Sequence, residues 1–259
     1  MKKSEIKNFL ETYVEYFNQR SFINSDPIQV PHSFSKREDI EIAAFLTASL
    51  AWGQRPVMIR NAFSLTETMP DGPYHFIMES DDDLFDHFSG FKHRTFNGID
   101  CIFFLKSLQN IYRNHGGLKS VFEEGFKQTG NIPGAITHFR NTFFSIAFPK
   151  RTLKHIADIE SNAAGKRINM FLRWMIRKDD KGVDFGLWDI APSALYIPLD
   201  LHSGKISREL GLLKRKQNDW KAVRELTYKL REFDPEDPVK YDFALFGLSA
   251  LGKDYNHVQ

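Results

Sequence analysis

Ile197-Pro198-Leu199-Asp200-Leu201-His202 is the stretch whose reading decides the fold, and it runs on into Ser203-Gly204-Lys205-Ile206-Ser207-Arg208-Glu209-Leu210-Gly211-Leu212. An aspartate just before an apolar-periodic segment is a common helix N-cap, because its carboxylate accepts the orphan N–H groups of the first turn, which stabilises by about 1 kcal/mol. The stretch therefore predicts a helix from about Leu201 to Leu212 with Asp200 at its start.

Outward from there the pattern is helical throughout, and no segment shows the sustained alternation of a half-buried strand. Ile6, Phe9, Leu10, Tyr13, Val14 and Phe17 follow the 3.6-residue period of an opening amphipathic helix. Ser35-Lys36-Arg37-Glu38 has capping-box spacing and leads into the almost wholly apolar Ile40 to Trp52, which predicts a buried central helix. Gly53 closes it and Pro56 suits the first turn of a helix over 57–68. The acidic, Pro- and Gly-bearing region 69–98 reads as a surface excursion. Helices are expected over 99–112, 118–127, 132–147 and 166–178, then a loop over 179–192. Two more close the chain, over 219–232 and 237–251, the last with Asp237 as N-cap and Pro238 at its first position. The expectation is an all-α, two-lobed unit: a helical N-terminal part, 1–148, and a basic part, 149–259, with a basic cleft between them.

With 259 residues, 42% hydrophobic and 14% aromatic, the chain has ample material for a core, which excludes disordered and collagen-like classes. No window approaches the roughly 20 apolar residues of a membrane helix, and Met1-Lys2-Lys3-Ser4-Glu5 lacks the apolar run of a signal peptide, so a cytoplasmic protein with no membrane partner is expected. Cys101, the single cysteine, rules out an intrachain disulfide and thiolate clusters and reads as a small core residue. The nine histidines show no metal-ligand spacing, so no metal and no cofactor are predicted. Net charge is only +2, but it is segregated. Residues 150–178 hold eight Lys or Arg against Asp158 and Glu160, and 202–231 hold nine against Glu209, Asp219 and Glu225. Such stretches are either solvated helix faces or a surface that neutralises phosphates and releases their counterions.

The Pro198-Leu199-Asp200-Leu201-His202 run and the helix that it opens resemble the segment of the helix-hairpin-helix DNA glycosylase superfamily in which Pro-Val-Asp-x-His precedes an Arg-x-Leu-Gly-Leu-like stretch. In that superfamily the aspartate is the catalytic carboxylate facing an extruded nucleoside. The resemblance implies that role for Asp200, with Gly165, Arg167, His202 and Lys205 as phosphate contacts; the competing reading of Asp200 is a plain N-cap. Upstream, Asn162-Ala163-Ala164-Gly165-Lys166-Arg167-Ile168 stands where the superfamily carries Leu-Pro-Gly-Val-Gly-x-Lys, with one of the two signature glycines, Gly165, retained. Its glycine amides hold a phosphate. In bifunctional members the lysine is a Schiff-base nucleophile. An ungapped match puts Arg167 there, which cannot form a Schiff base; a shift of one residue puts Lys166 there. The spacing of 34 residues from Lys166 to Asp200 is similar to that of the archaeal 8-oxoguanine glycosylase branch.

Trp52-Gly53-Gln54-Arg55-Pro56 is similar to the turn that supplies the polar residue filling the gap of a flipped base, which makes Gln54 or Arg55 a wedge candidate beside its reading as an ordinary helix corner. Trp188 and Phe185 read as anchors of the 179–192 loop, Asp184 and Asp189 as turn and cap residues, and Asp242 as a buried partner of a basic residue such as Arg173. The whole chain also resembles an uncharacterised bacterial family, DUF2400-like, through Asp26-Pro27-Ile28, Lys166 to Met175 and Asp237 to Gly247. Taken together, the resemblances imply a DNA-binding protein that cleaves the N-glycosidic bond of a damaged base. The alternatives are a catalytically silent binder of nucleic-acid structure and a helical interaction scaffold. The sequence does not set the oligomeric state or the lesion.

Overall fold

The computed structural model describes residues 2–250, with the side chain of Ala250 outside the description. Among the described residues the chain is largely helical, and the end of the last expected helix, at Leu251, lies outside them. The helices are α1 (Lys3–Phe17), α2 (Arg20–Ile23), α3 (Arg37–Ser49), α4 (Arg55–Glu67), α5 (Pro73–Glu79), α6 (Asp82–Asp86) and α7 (Gly98–Asn114). They continue with α8 (Leu118–Thr129), α9 (Ile132–Phe143), α10 (Lys166–Ile176), α11 (Leu201–Glu209), α12 (Trp220–Arg231) and α13 (Tyr241–Ala250). No described helix is long and apolar enough to cross a membrane.

The chain forms two compact units. One comprises the described residues of Met1–Phe22, Ser161–Gly186 and Ile190–Gln259; the other comprises Ile23–Glu160 and Leu187–Asp189. In the second unit α3 is the buried helix that its sequence predicts, with every residue from Asp39 to Ser49 out of solvent. Phe45 on α3 meets Phe104, Phe139 and Phe143 at 5.4–5.8 Å between ring centres. The cap of α3 differs from expectation: Lys36 occupies the N-cap and makes no side-chain capping bond. Trp188 is 2% exposed, stacks on Phe122 at 5.2 Å and donates its indole N–H to Glu41 Oε1 at 3.0 Å, so it anchors the loop as read from sequence. Cys101 is buried in α7.

Region 69–98 is not a surface excursion. It folds into α5, α6, a 3-10 turn at His87–Gly90 and a two-residue antiparallel pair, β1 (Lys92–His93) with β2 (Phe96–Asn97), and it buries Phe76, Phe85, Phe88 and Phe96. Its acidic cluster has a local cause: Asp81 accepts the N–H of Leu84 at 2.9 Å as the N-cap of α6. A handful of aromatics decides the burial, each removing far more apolar area than the neighbouring charges need to keep exposed.

In the first unit α1 packs on α13, and α13 on α11. The close approach of α1 requires Gly247, since a Cβ there would stand 2.4 Å from the Phe17 ring. Residues 237–250 begin as a 3-10 turn, Pro238–Lys240, before α13. Asp237 occupies the N-cap position but makes no capping bond, because its carboxylate is taken by Arg177 Nε at 2.8 Å.

Candidate functional site

Helix α10 begins immediately after Gly165, which adopts φ +63°, a left-handed conformation that glycine reaches without steric cost. Asn162, three residues earlier, is also left-handed at φ +66°, a region where Asn is among the tolerated residues. Its carbonyl accepts Trp220 N–H at 3.1 Å and its amide donates to Asp219 at 3.0 Å, so the turn before α10 is fastened to the start of α12. The segment leading in carries a 3-10 turn at Lys150–His155 and irregular chain to Gly165, with no α-helix ahead of the turn.

Asp200 is the N-cap of α11, as its sequence predicts. Its Oδ1 accepts the backbone N–H of His202 at 2.8 Å and of Ser203 at 3.0 Å, and the Ser203 hydroxyl accepts the Asp200 N–H at 3.0 Å. The carbonyl of Asp200 accepts the Asn218 side-chain amide at 2.8 Å. This fixes the backbone on both sides and dedicates one carboxylate oxygen to the cap. The other oxygen, Oδ2, faces Lys166 Nζ at 3.9 Å. Both side chains keep about a quarter of their surface in solvent, 27% for Lys166 and 22% for Asp200. The N-cap reading and the chemical reading of Asp200 therefore describe different oxygens of one carboxylate.

Of the two basic residues competing for the position opposite Asp200, Lys166 takes it. Burial pushes the Arg167 guanidinium down to about 10, which leaves it cationic at neutral pH and without nucleophilic character. His202 and Lys205 are exposed on α11. His202 Nδ1 lies 3.2 Å from Ser249 Oγ, and Lys205 makes only a long pair with Glu209 at 3.9 Å. Gln54 and Arg55 belong to the other unit. Gln54 is the exposed N-cap of α4 with no side-chain capping bond, while Arg55 Nη1 donates to the Ser25 carbonyl at 3.4 Å.

The C-terminal end of α10 holds a second charge cluster. Arg173 pairs with Asp184 at 3.3 Å and Asp242 at 2.5 Å; Arg177 pairs with Asp184 at 2.9 Å, Asp237 at 2.8 Å and Asp179 at 3.2 Å. The Arg173–Asp242 link is the one expected from sequence. Asp184 is not a turn residue: it is buried between two guanidinium groups. The turn residue is Asp179, whose two oxygens accept the N–H groups of Lys181, Gly182, Val183 and Asp184 at 2.7–3.2 Å. Arg177 and Asp179 were not singled out from sequence. The available signal was Asp179 followed within three residues by Gly182, an Asx-turn pattern.

Burial, with the negative Asp200 adding to it, raises Asp242 to about 7 against the opposing pull of Arg173 and Lys166. Asp242 thus feels both members of the pair at the start of α10. Among the described residues no three His, Cys, Asp or Glu side chains are grouped to hold a metal ion.

No curated protein and no solved structure matches the chain. The family model described as a protein of unknown function (DUF2400) matches residues 26–251, most of the chain, and the chain belongs to that family.

Proposed function

We propose that this protein is a DNA glycosylase with lyase chemistry, in which Lys166 and Asp200 attack the sugar of a damaged nucleoside. The observation that carries this is the 3.9 Å approach of Lys166 Nζ to the uncommitted Oδ2 of Asp200, both partly open to solvent. In the reaction Asp200 Oδ2 accepts a proton from the Lys166 ammonium. The free amine then forms a bond to the sugar C1′ as the bond from C1′ to the base breaks, and the base leaves with the electron pair and takes up a proton. The base's proton comes from Asp200, which returns to a carboxylate beside C1′; that carboxylate takes the second proton from the nitrogen, whose lone pair expels O4′ as the sugar ring opens, O4′ takes up the proton, and a Schiff base to Lys166 is left.

Helix stability does not account for Lys166. A cation at the first residue of a helix is opposed by the positive end of the helix dipole, at a cost of a few tenths of a kcal/mol. A carboxylate at the N-terminus of α11, by contrast, is favoured there by the helix dipole and the cap. His202, Lys205, Arg167 and the Gly165 turn are assigned to phosphate contacts, and the partner is DNA.

The test is single-turnover base release from duplexes carrying a panel of oxidised, alkylated and deaminated bases. One lesion should be released by the wild-type chain, with Asp200→Asn slowing release by about 10²-fold or more. Release unaffected by Asp200→Asn would remove the proposal.

A further inference from the structure

Helix α12 presents Lys221, Arg224, Tyr228 and Arg231 at helical spacings of three and four, so they lie along one face about 15 Å long. Among the described residues none of Lys221, Arg224 and Arg231 has a carboxylate partner, and neither have Lys214 and Lys216 in the preceding loop. The one acid on α12, Glu225, accepts the Lys214 backbone N–H at 2.6 Å. The face therefore carries three cations against the one carboxylate of Glu225.

Aromatic rings are interleaved with these cations. From the buried side outward, Trp220 meets Tyr196 at 5.0 Å, Arg231 lies 5.0 Å from the Tyr196 ring and 5.4 Å from the Tyr228 ring, and Arg224 lies 5.8 Å from Tyr228. The inner end is rigid. Trp220 and Tyr196 are each 8% exposed, and Arg231 is tied to the carbonyls of Ser193, Ala194 and Leu195 at 3.1–3.2 Å. The outer end is open, with Tyr228 at 46% exposure. Arg224, and then Tyr196, keep the pKa of the Tyr228 phenol below the usual tyrosine range. The guanidinium groups of Arg224 and Arg231 lie over the ring, which leaves it less side-chain entropy to lose on binding.

We infer that this face of α12 binds single-stranded nucleic acid, with a base stacked on the Tyr228 and Arg224 end of the ladder and the backbone phosphates on Lys221 and on Lys214 and Lys216 of the preceding loop. An unpaired strand fits better than a duplex or an acidic peptide, because a base in a duplex hides its π faces from a protein ring and a peptide has no row of planar bases to stack. The ladder is also continuous with the candidate site in the same unit. Tyr196 runs into Ile197 to Asp200, and Asn162, just before Lys166, is bonded to Trp220 and Asp219. The inference stands on the cation and ring geometry and deepens the nucleic-acid reading by giving the site a strand-holding surface.

The experiment is fluorescence anisotropy of the full chain with a labelled 12-nucleotide oligothymidylate and with a duplex of equal length, across a salt series. Binding to the single strand should exceed binding to the duplex and fall with salt. Tyr228→Leu should weaken it on the order of tenfold while Tyr228→Phe stays within about twofold. Lys221→Ala with Lys216→Ala should make the logarithmic salt slope shallower by about 1.4. Thermal melts by circular dichroism establish that each variant folds, and Arg224→Glu, an exposed change, serves if Tyr228→Leu does not. Equal binding by wild type and the Tyr228→Leu or Arg224→Glu variant, or tighter binding to duplex, would overturn the inference. Wild-type base release measured alongside separates the two proposals. Release with no Tyr228 or Arg224 effect sinks only this one; strand binding that depends on Tyr228, with no release across the lesion panel, sinks only the glycosylase.

Discussion

The two ends of α10 carry opposite kinds of charge cluster. At its C-terminal end Arg173 and Arg177 are each 4% exposed and share four aspartates, so every charge has a partner, and the carboxylates of Asp179, Asp184 and Asp242 are buried while that of Asp237 reaches solvent. At its N-terminal end Lys166 and Asp200 make one long contact and stay open to solvent. Burial makes the first cluster a determinant of structure, because an unpaired charge left in the interior is far costlier than the pair is worth. Exposure makes the second one cheap to lose and available to a substrate. Charged residues on a single helix are thereby divided between those that the fold depends on and those that it does not, and the proposed chemistry is assigned to the end where stability has least at stake.

Breaking the closed end should have the largest effect. Arg177→Ala leaves Asp184 and Asp237 without their shared cation and should cost about 3–5 kcal/mol, read as a lowered midpoint in urea denaturation. A loss under 1 kcal/mol would show that water reaches the cluster. The pH dependence of the same end is set by Asp242. Its folded-state pKa, about 7, lies above the ordinary carboxylate value, so the folded chain binds the extra proton between roughly pH 4 and 7. Its contribution to stability therefore falls as pH rises through that window and is constant above it. The difference in unfolding free energy between wild type and Asp242→Asn should slope in this sense from pH 4 to 7; a flat difference would mean that Asp242 stays ionised throughout.

How much of this contrast is legible in the sequence depends on the range over which each feature is determined. Asp200 as an N-cap is written in six consecutive residues, because capping is a local hydrogen-bond problem that Asp solves from its own position. The Arg173–Asp242 link was also readable, since a lone acid on an apolar helix demands a cation. Which cation pairs with Asp237 was not, because Arg177 lies 60 residues away and only the packing of α10 brings them together. Region 69–98 misled for a related reason: its acids dominate the composition, whereas its phenylalanines decide the burial. Pro149 marks where the composition turns basic, while the compact units follow packing, which joins α1 to α13 across almost the whole chain.

The open end should respond more gently. Gly165→Ala puts a side chain at φ +63°, which should cost about 1 kcal/mol and misdirect the first turn of α10. Asp200→Ala should cost about 1 kcal/mol through the lost cap, whereas Asp200→Asn keeps the capping oxygen and should be close to neutral. Lys166→Ala should change stability by less than about 1 kcal/mol, the usual worth of an exposed pair. A large loss for Lys166→Ala in thermal unfolding would move Lys166 into the structural class and erase the contrast.

The most direct measurement is covalent trapping. The full chain is incubated with lesion-bearing duplexes in the presence of borohydride, and any adduct is digested and located by mass spectrometry. Reduction of the Schiff base should leave a stable secondary amine on Lys166 and none with Lys166→Ala. An adduct on another lysine, or one that persists undiminished in Lys166→Ala, would contradict the assignment of the open end of α10 as the place where chemistry occurs.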